Sequence, residues 1–146
     1  MRIFRKYRGQ KGVTLIELVV VMAIIAIIGL FMAPAIGEWV DNFRIKQAAR
    51  DIASTLQLAK MQTISTRTQH SVTFTPGTGS VPGTYQLTPG GSWTQVPKGV
   101  TIAAGITISF NPDGTSPVNG TITINNTKGK QYQVTVSATG RIQIQD

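Results

Sequence analysis

The chain has 146 residues, with 14 Lys and Arg, 6 Asp and Glu, one His and no Cys. That length holds one globular domain with at most an appendage, and the lack of Cys excludes a disulfide framework, a thiolate zinc site and a thiol nucleophile. The net charge of +8 is uneven: Arg2, Arg5, Lys6, Arg8 and Lys11 crowd the first twelve residues without an acid, leaving nine cations against six acids elsewhere.

Directly after this basic tip the chain turns apolar. Leu18–Ala33 carries no charge, and over residues 13–36 Glu17 is the only charged side chain. About 20 helical residues cross a hydrocarbon core of ~30 Å, so this run is long enough to span a membrane. Cations before it and few after it orient the amino terminus to the cytoplasm. A cleaved secretory signal, with Ala33-Pro34-Ala35 as its small-residue site, and a plain signal anchor both fit the apolar run. Neither assigns a task to Glu17. A carboxylate within a membrane span costs roughly 2.5–3.5 kcal/mol by insertion scales, and such a residue is a functional candidate that needs a partner.

Lys11-Gly12-Val13-Thr14-Leu15-Ile16-Glu17-Leu18 resembles the processing motif of type IV prepilins and type II secretion pseudopilins. In that family a short basic leader ends in Gly, and Glu is the fifth residue of the mature chain. The chain departs from it at Val13, where Phe is commonest. The resemblance implies that a prepilin peptidase cuts between Gly12 and Val13 and methylates the new amine of Val13. It also supplies a partner for Glu17, the Val13 amine of a neighbouring subunit. An ammonium and a carboxylate pairing in a low-dielectric helix bundle relieve each other's desolvation.

Pro34 and Gly29 weaken the apolar helix locally. Beyond them Ile36, Val40, Phe43, Ile52, Leu56 and Ala59 recur at helical spacing, with Trp39 and Ala48 on the same broad stripe, predicting one helix from about Thr14 to about Ser65. Trp39 fits a membrane interface and a core anchor equally.

From Ser71 the period becomes two. Val72/Phe74, Tyr85/Leu87, Val100/Ile102, Ile106/Ile108/Phe110, Ile122/Ile124, Tyr132/Val134/Val136 and Ile142/Ile144 alternate with polar residues and predict half-buried antiparallel strands. Turn chemistry separates them at Thr75-Pro76-Gly77, Pro89-Gly90-Gly91, Asn111-Pro112-Asp113-Gly114 and Lys128-Gly129-Lys130. Residues 77–91 read as a loose loop with a short strand. The expected fold is α+β and pilin-like, a long helix packed on an antiparallel β-sheet. Its parts are a leader over 1–12, a membrane and filament helix over 13–35, an amphipathic continuation over 36–66 and a sheet domain over 67–146.

The helix segment Ala48–Lys60, the turn Phe110-Asn111-Pro112-Asp113-Gly114 and the terminal Gly140-Arg141-Ile142 are similar to the GspH/FimT branch of the same family. That branch often has Arg where this chain has Lys60. The resemblance implies a GspH-like minor pseudopilin of a type II secretion system, held in the bacterial inner membrane by a single pass with its sheet domain in the periplasm. Other pilins or pseudopilins and secreted cargo are its implied partners. The alternative is a FimT-like minor pilin serving pilus assembly or DNA uptake. Lys128, Lys130 and Arg141 are candidate DNA contacts, although Gln143 replaces the second cation of the FimT-type terminal motif. No cofactor, metal site or catalytic constellation is expected. His70 stands alone, and Glu38, Asp41, Asp51, Asp113 and Asp146 are scattered.

Overall fold

The computed structural model describes residues 12–78 and 81–146, and of residues 31–35 the backbone alone. A helix, α1, runs Leu15–Thr66. It is followed by β1 His70–Thr75, β2 Thr84–Thr88, β3 Trp93–Gln95, β4 Val100–Ile102, β5 Ile106–Phe110, β6 Gly120–Asn126, β7 Gln131–Val136 and β8 Ile142–Gln145. The chain divides into two compact units, Met1–Gly37 and Glu38–Asp146. The second therefore holds the last part of α1 together with all the strands.

Within the second unit α1 is amphipathic. Ile45, Ala48, Ala49, Ile52, Leu56 and Ala59 are fully or almost fully buried, recurring every three or four residues as one face of a helix requires. Phe43 and Trp39, expected on this stripe, are instead 55% and 68% exposed. The reason is geometric: Phe43 and Ile52 are nine residues apart, about two and a half helical turns, and so point to opposite faces. Trp39 stacks on Phe43 with ring centroids 5.9 Å apart. It is not a core anchor of this unit.

The helix ends at Thr66, with Arg67 taking the left-handed conformation (φ 53°) that commonly stops helices. Thr63 and His70 hold the corner that follows. The Thr63 hydroxyl donates to the Ala59 carbonyl at 2.8 Å and accepts the His70 backbone N–H at 3.1 Å. The buried His70 ring places Nδ1 2.8 Å from the Thr68 carbonyl, a contact that requires the Nδ1–H tautomer.

Where one sheet was expected there are two. One has the order β3-β2-β1-β5 and the other β4-β6-β7-β8, with every pairing antiparallel. All seven alternating segments read from the sequence are strands. The short strand expected within residues 77–91 is β2, which pairs on both sides, with β1 and with β3. The two sheets meet where Gly120 opens β6. A Cβ there would run into the tip of the Ile108 side chain, which would have to move aside. Phe74, Ile108 and Phe110 of the first sheet and Ile122, Ile124 and Val134 of the second belong to the same buried cluster as the α1 stripe.

Leu56→Ala is expected to lower stability by about 2–5 kcal/mol, because it empties a fully buried site. Met61→Ala, on the exposed face, is expected to change it by less than about 0.5 kcal/mol. Denaturant midpoints at unchanged slope measure both.

Candidate functional site

The amino-terminal motif is described from Gly12 onward; the basic leader residues Arg2, Arg5, Lys6, Arg8 and Lys11 lie outside the described residues. Gly12, Val13 and Thr14 precede the helix in exposed, non-helical chain. Among the described residues a Cβ on Gly12 would meet nothing within 4 Å. Thr14 caps α1: its hydroxyl accepts the Glu17 N–H at 3.3 Å and its carbonyl accepts the Leu18 N–H at 3.2 Å. Glu17 thus stands at the third helical position, in the T-x-x-E spacing of a capping box, where its charge also complements the helix dipole. The sequence reading missed this local role. The spacing itself carried the signal.

Around and after Glu17 the helix is apolar and exposed on all sides, with Leu15 and Leu30 80% and 77% accessible. A helix of this kind is made for apolar surroundings. Among the described residues no helix is long and apolar enough to cross a membrane. The described side chains of this run stop at Leu30 and resume at Ile36.

The three basic candidates are not brought together. Lys128 and Lys130 flank the turn between β6 and β7, which is rigidly built. Asn126 Oδ1 accepts the backbone N–H groups of Lys128 at 3.0 Å and Lys130 at 2.8 Å, and Gly129 takes φ 82°. The Lys130 ammonium lies 5.4 Å above the Tyr132 ring. Arg141 follows the turn at the opposite end of β7, where its backbone bonds Ser137 in both directions. β7 sets the gap between them, roughly 23 Å from Lys130 to the Ser137 that Arg141 faces. The Lys128 turn lies at the level of Asp41, through Thr127 and Gly99, whereas the Arg141 turn is bonded to Lys60. Nineteen helical residues separate Asp41 from Lys60, roughly 28 Å along the axis.

At the Lys60 level three stretches distant in sequence converge. Lys60 Nζ donates to the Gly140 carbonyl at 2.9 Å. A Cβ on Gly140, which has φ 72°, would collide with the Gly114 carbonyl oxygen. Gly114 (φ 84°) in turn packs against the Ile64 and Lys60 side chains. The Asn111–Gly114 turn is held by Asp113, whose carboxylate accepts the Thr115 N–H at 2.9 Å and hydroxyl at 2.6 Å. These bonds hold the Asp113 carboxyl below the usual carboxylate range. Among the described residues no group of three His, Asp or Glu side chains could hold a metal ion.

Comparison with known proteins places both parts of the chain. Residues 7–33 match the prokaryotic N-terminal methylation motif, and residues 48–140 match the family described as type II transport protein GspH. A type II secretion system protein H from Xanthomonas campestris pv. campestris is 32% identical over 69 residues, 47% of this chain and 41% of that protein. The chain thus aligns with less than half the length of this curated relative. The fold resembles the type IV minor pilin FimU of Pseudomonas aeruginosa, with a TM-score of 0.55 at 20% identity over 74% of this chain and 92% of that one. A second crystal form of FimU gives 0.51 at 21% identity, over 69% and 92% of the two chains.

Gly140→Ala is expected to destabilise the sheet unit by about 1–3 kcal/mol, because it meets both a left-handed backbone and the Gly114 carbonyl. Thermal unfolding measures it, with Gly129→Ala, equally left-handed but in open space, as the comparison that isolates the collision. The Asp113 carboxylate favours the folded turn at neutral pH, and that contribution is lost as falling pH passes its lowered pKa. The Thr115 amide resonance is therefore expected to titrate below the usual Asp range, and Asp113→Asn to abolish the transition.

Proposed function

The chain belongs to the type II transport protein GspH family, and from that premise we propose that it is a minor pseudopilin, a structural subunit of a type II secretion pseudopilus. The observation that carries this reading is the pairing of two features in one chain. A prepilin-type motif opens an apolar helix exposed on all faces, and a sheet unit of the GspH type follows it.

The precursor inserts with its basic leader in the cytoplasm and the Val13–Ala35 segment in the inner membrane. Prepilin peptidase cuts after Gly12 and methylates the Val13 amine. The exposed, non-helical chain around this bond supports access by a peptidase. Glycine at position 12 meets the need of the enzyme's pocket. After the cut Val13 and Thr14 alone precede the helix, so the amine and Glu17 share its amino-terminal turn. Within one subunit Glu17 supports the cap. Between subunits it accepts the amine of a neighbour, which offsets the desolvation of both charges and fixes the step from one subunit to the next. The subunit performs no chemistry itself.

A FimT-like minor type IV pilin is the second reading, favoured by the fold it shares with FimU. Its DNA-uptake form draws little support from Lys128, Lys130 and Arg141. Sites at opposite ends of β7, roughly 23 Å apart along the strand, give two separate phosphate contacts rather than a continuous track.

Gly12→Ala is expected to leave the chain folded and its leader uncut, whereas Glu17→Ala is expected to permit the cut and remove the subunit from filaments. Immunoblots of leader removal and of sheared filaments read the two steps separately. Normal incorporation of Glu17→Ala, or cutting of Gly12→Ala at the normal rate, would contradict the roles given to these residues. Glu17→Gln keeps a hydrogen-bonding side chain and is expected to preserve the cap while still failing to assemble, which separates the cap from the intersubunit pair.

A further inference from the structure

The sheet unit begins at Glu38, so residues in contact with the first turn of its helix lie at the end where the chain leaves the apolar segment. That end is formed by two turns. A Cβ on Gly99 would stand 4.0 Å from Asp41 Oδ1 and 3.9 Å from the Thr127 methyl, and the Thr127 N–H donates to the Gly99 carbonyl at 3.2 Å. The two turns carry Lys98, Lys128 and Lys130, all exposed. Of the acids at this level, Asp41 is occupied by Arg44 at 3.6 Å. Glu38 opens the unit, and Asp146 follows the Gln145 that pairs with Gln133. Among the described residues none of the three lysines forms an ion pair.

Two apolar features share this end. Trp39 and Phe43, stacked and largely exposed, are each two residues from Asp41 and so stand at the same level on the opposite face of the helix. Beside Lys98 opens a groove of about 530 Å³, walled by Val81, Pro82, Val96 and Val100. A cation beside an apolar groove, with exposed aromatic rings at the same level of the helix, matches an amphiphile, whose phosphate meets lysine and whose hydrocarbon meets the walls. A nucleic acid backbone would use the lysines and leave the apolar walls without a partner.

We propose that this end of the sheet unit is a docking surface for anionic lipid headgroups of the membrane that holds the chain before assembly. Lys98 and Lys128 contact headgroup phosphates, Trp39 and Phe43 lie at the interfacial level, and the groove takes part of an acyl chain. The proposal rests on the membrane-anchored reading above. Docking holds the unassembled subunit against the bilayer, and drawing it into a filament breaks the contact.

The chain has no Cys, so single cysteines can carry spin labels without background. The full chain is placed in lipid nanodiscs of phosphatidylcholine alone or with one third phosphatidylglycerol, labelled at Thr127→Cys, at Val21→Cys or at Ser65→Cys. Collision with nickel-chelating headgroups and with oxygen in the hydrocarbon is measured. The Thr127 label is expected to meet headgroup nickel in the anionic disc only, and to lose that contact about fivefold for each of Lys98→Gln and Lys128→Gln. The Ser65 label, near the far end of the helix, is expected to stay silent. A Val21 label in hydrocarbon together with a Thr127 label that never meets the headgroups would overturn the docking surface and leave the anchor intact. A Val21 label outside the hydrocarbon would overturn both. Quenching of the Thr127 label by nickel-tagged duplex DNA, without headgroup contact in either disc, would assign the lysines to nucleic acid and overturn the proposal.

Discussion

A helix apolar on every face, as α1 is from Leu18 to Leu30, has no stable place in water. Each large aliphatic side chain left exposed forgoes about 1.5–3 kcal/mol that burial would return. The same helix past Glu38 is apolar on one stripe only, and that stripe is covered by two sheets of its own chain. The surroundings of the two parts therefore have to differ. The second part is satisfied within the molecule. The first is satisfied by lipid or by other apolar helices. Glu17 sharpens the constraint, because a carboxylate in such surroundings has to find a cation.

The sheet unit meets a different demand, that of holding its last strand in place. Phe110–Gly114, Gly140–Arg141 and Lys60 are far apart in the chain, yet they form one contact in which a lysine bonds the Gly140 carbonyl and two left-handed glycines pass close together. The resemblances noted at these positions in the sequence thus have a common structural cause. They describe a latch that closes β8 onto the sheet, where the Arg141 backbone bonds Ser137. The latch accounts for the glycine of the Gly140-Arg141 pair.

The strands were legible because antiparallel strands with one wet face alternate visibly, and each alternating segment from Val72 to Ile144 became one. Trp93–Gln95 escaped notice because β3 is three residues long and exposed on both faces, which leaves no period to read. The split into two sheets also stayed hidden, because pairing such as Val72 with Ile108 or Ile102 with Ile124 is set by contacts between segments that no local pattern records. The helix was legible in extent and wrong in phase at Trp39 and Phe43, where the apolar residues belong to the outer face. At the candidate site the amino-terminal motif was readable because its parts are adjacent in sequence. The separation of Lys128 and Lys130 from Arg141 was not, since a strand of six residues carries the chain from one end of the sheet to the other.

The central claim is that this chain is cut at its motif, anchored by its apolar helix and held in a filament by that helix. The intact mass of the protein recovered from the membrane fraction of its native host tests it most directly. The account requires a chain that begins at Val13 and carries one added methyl group. A chain beginning at Ile36, after a cut at Ala35, would make the apolar run a discarded secretory signal, and a chain still carrying residues 1–12 would make it a plain anchor; either result contradicts the account.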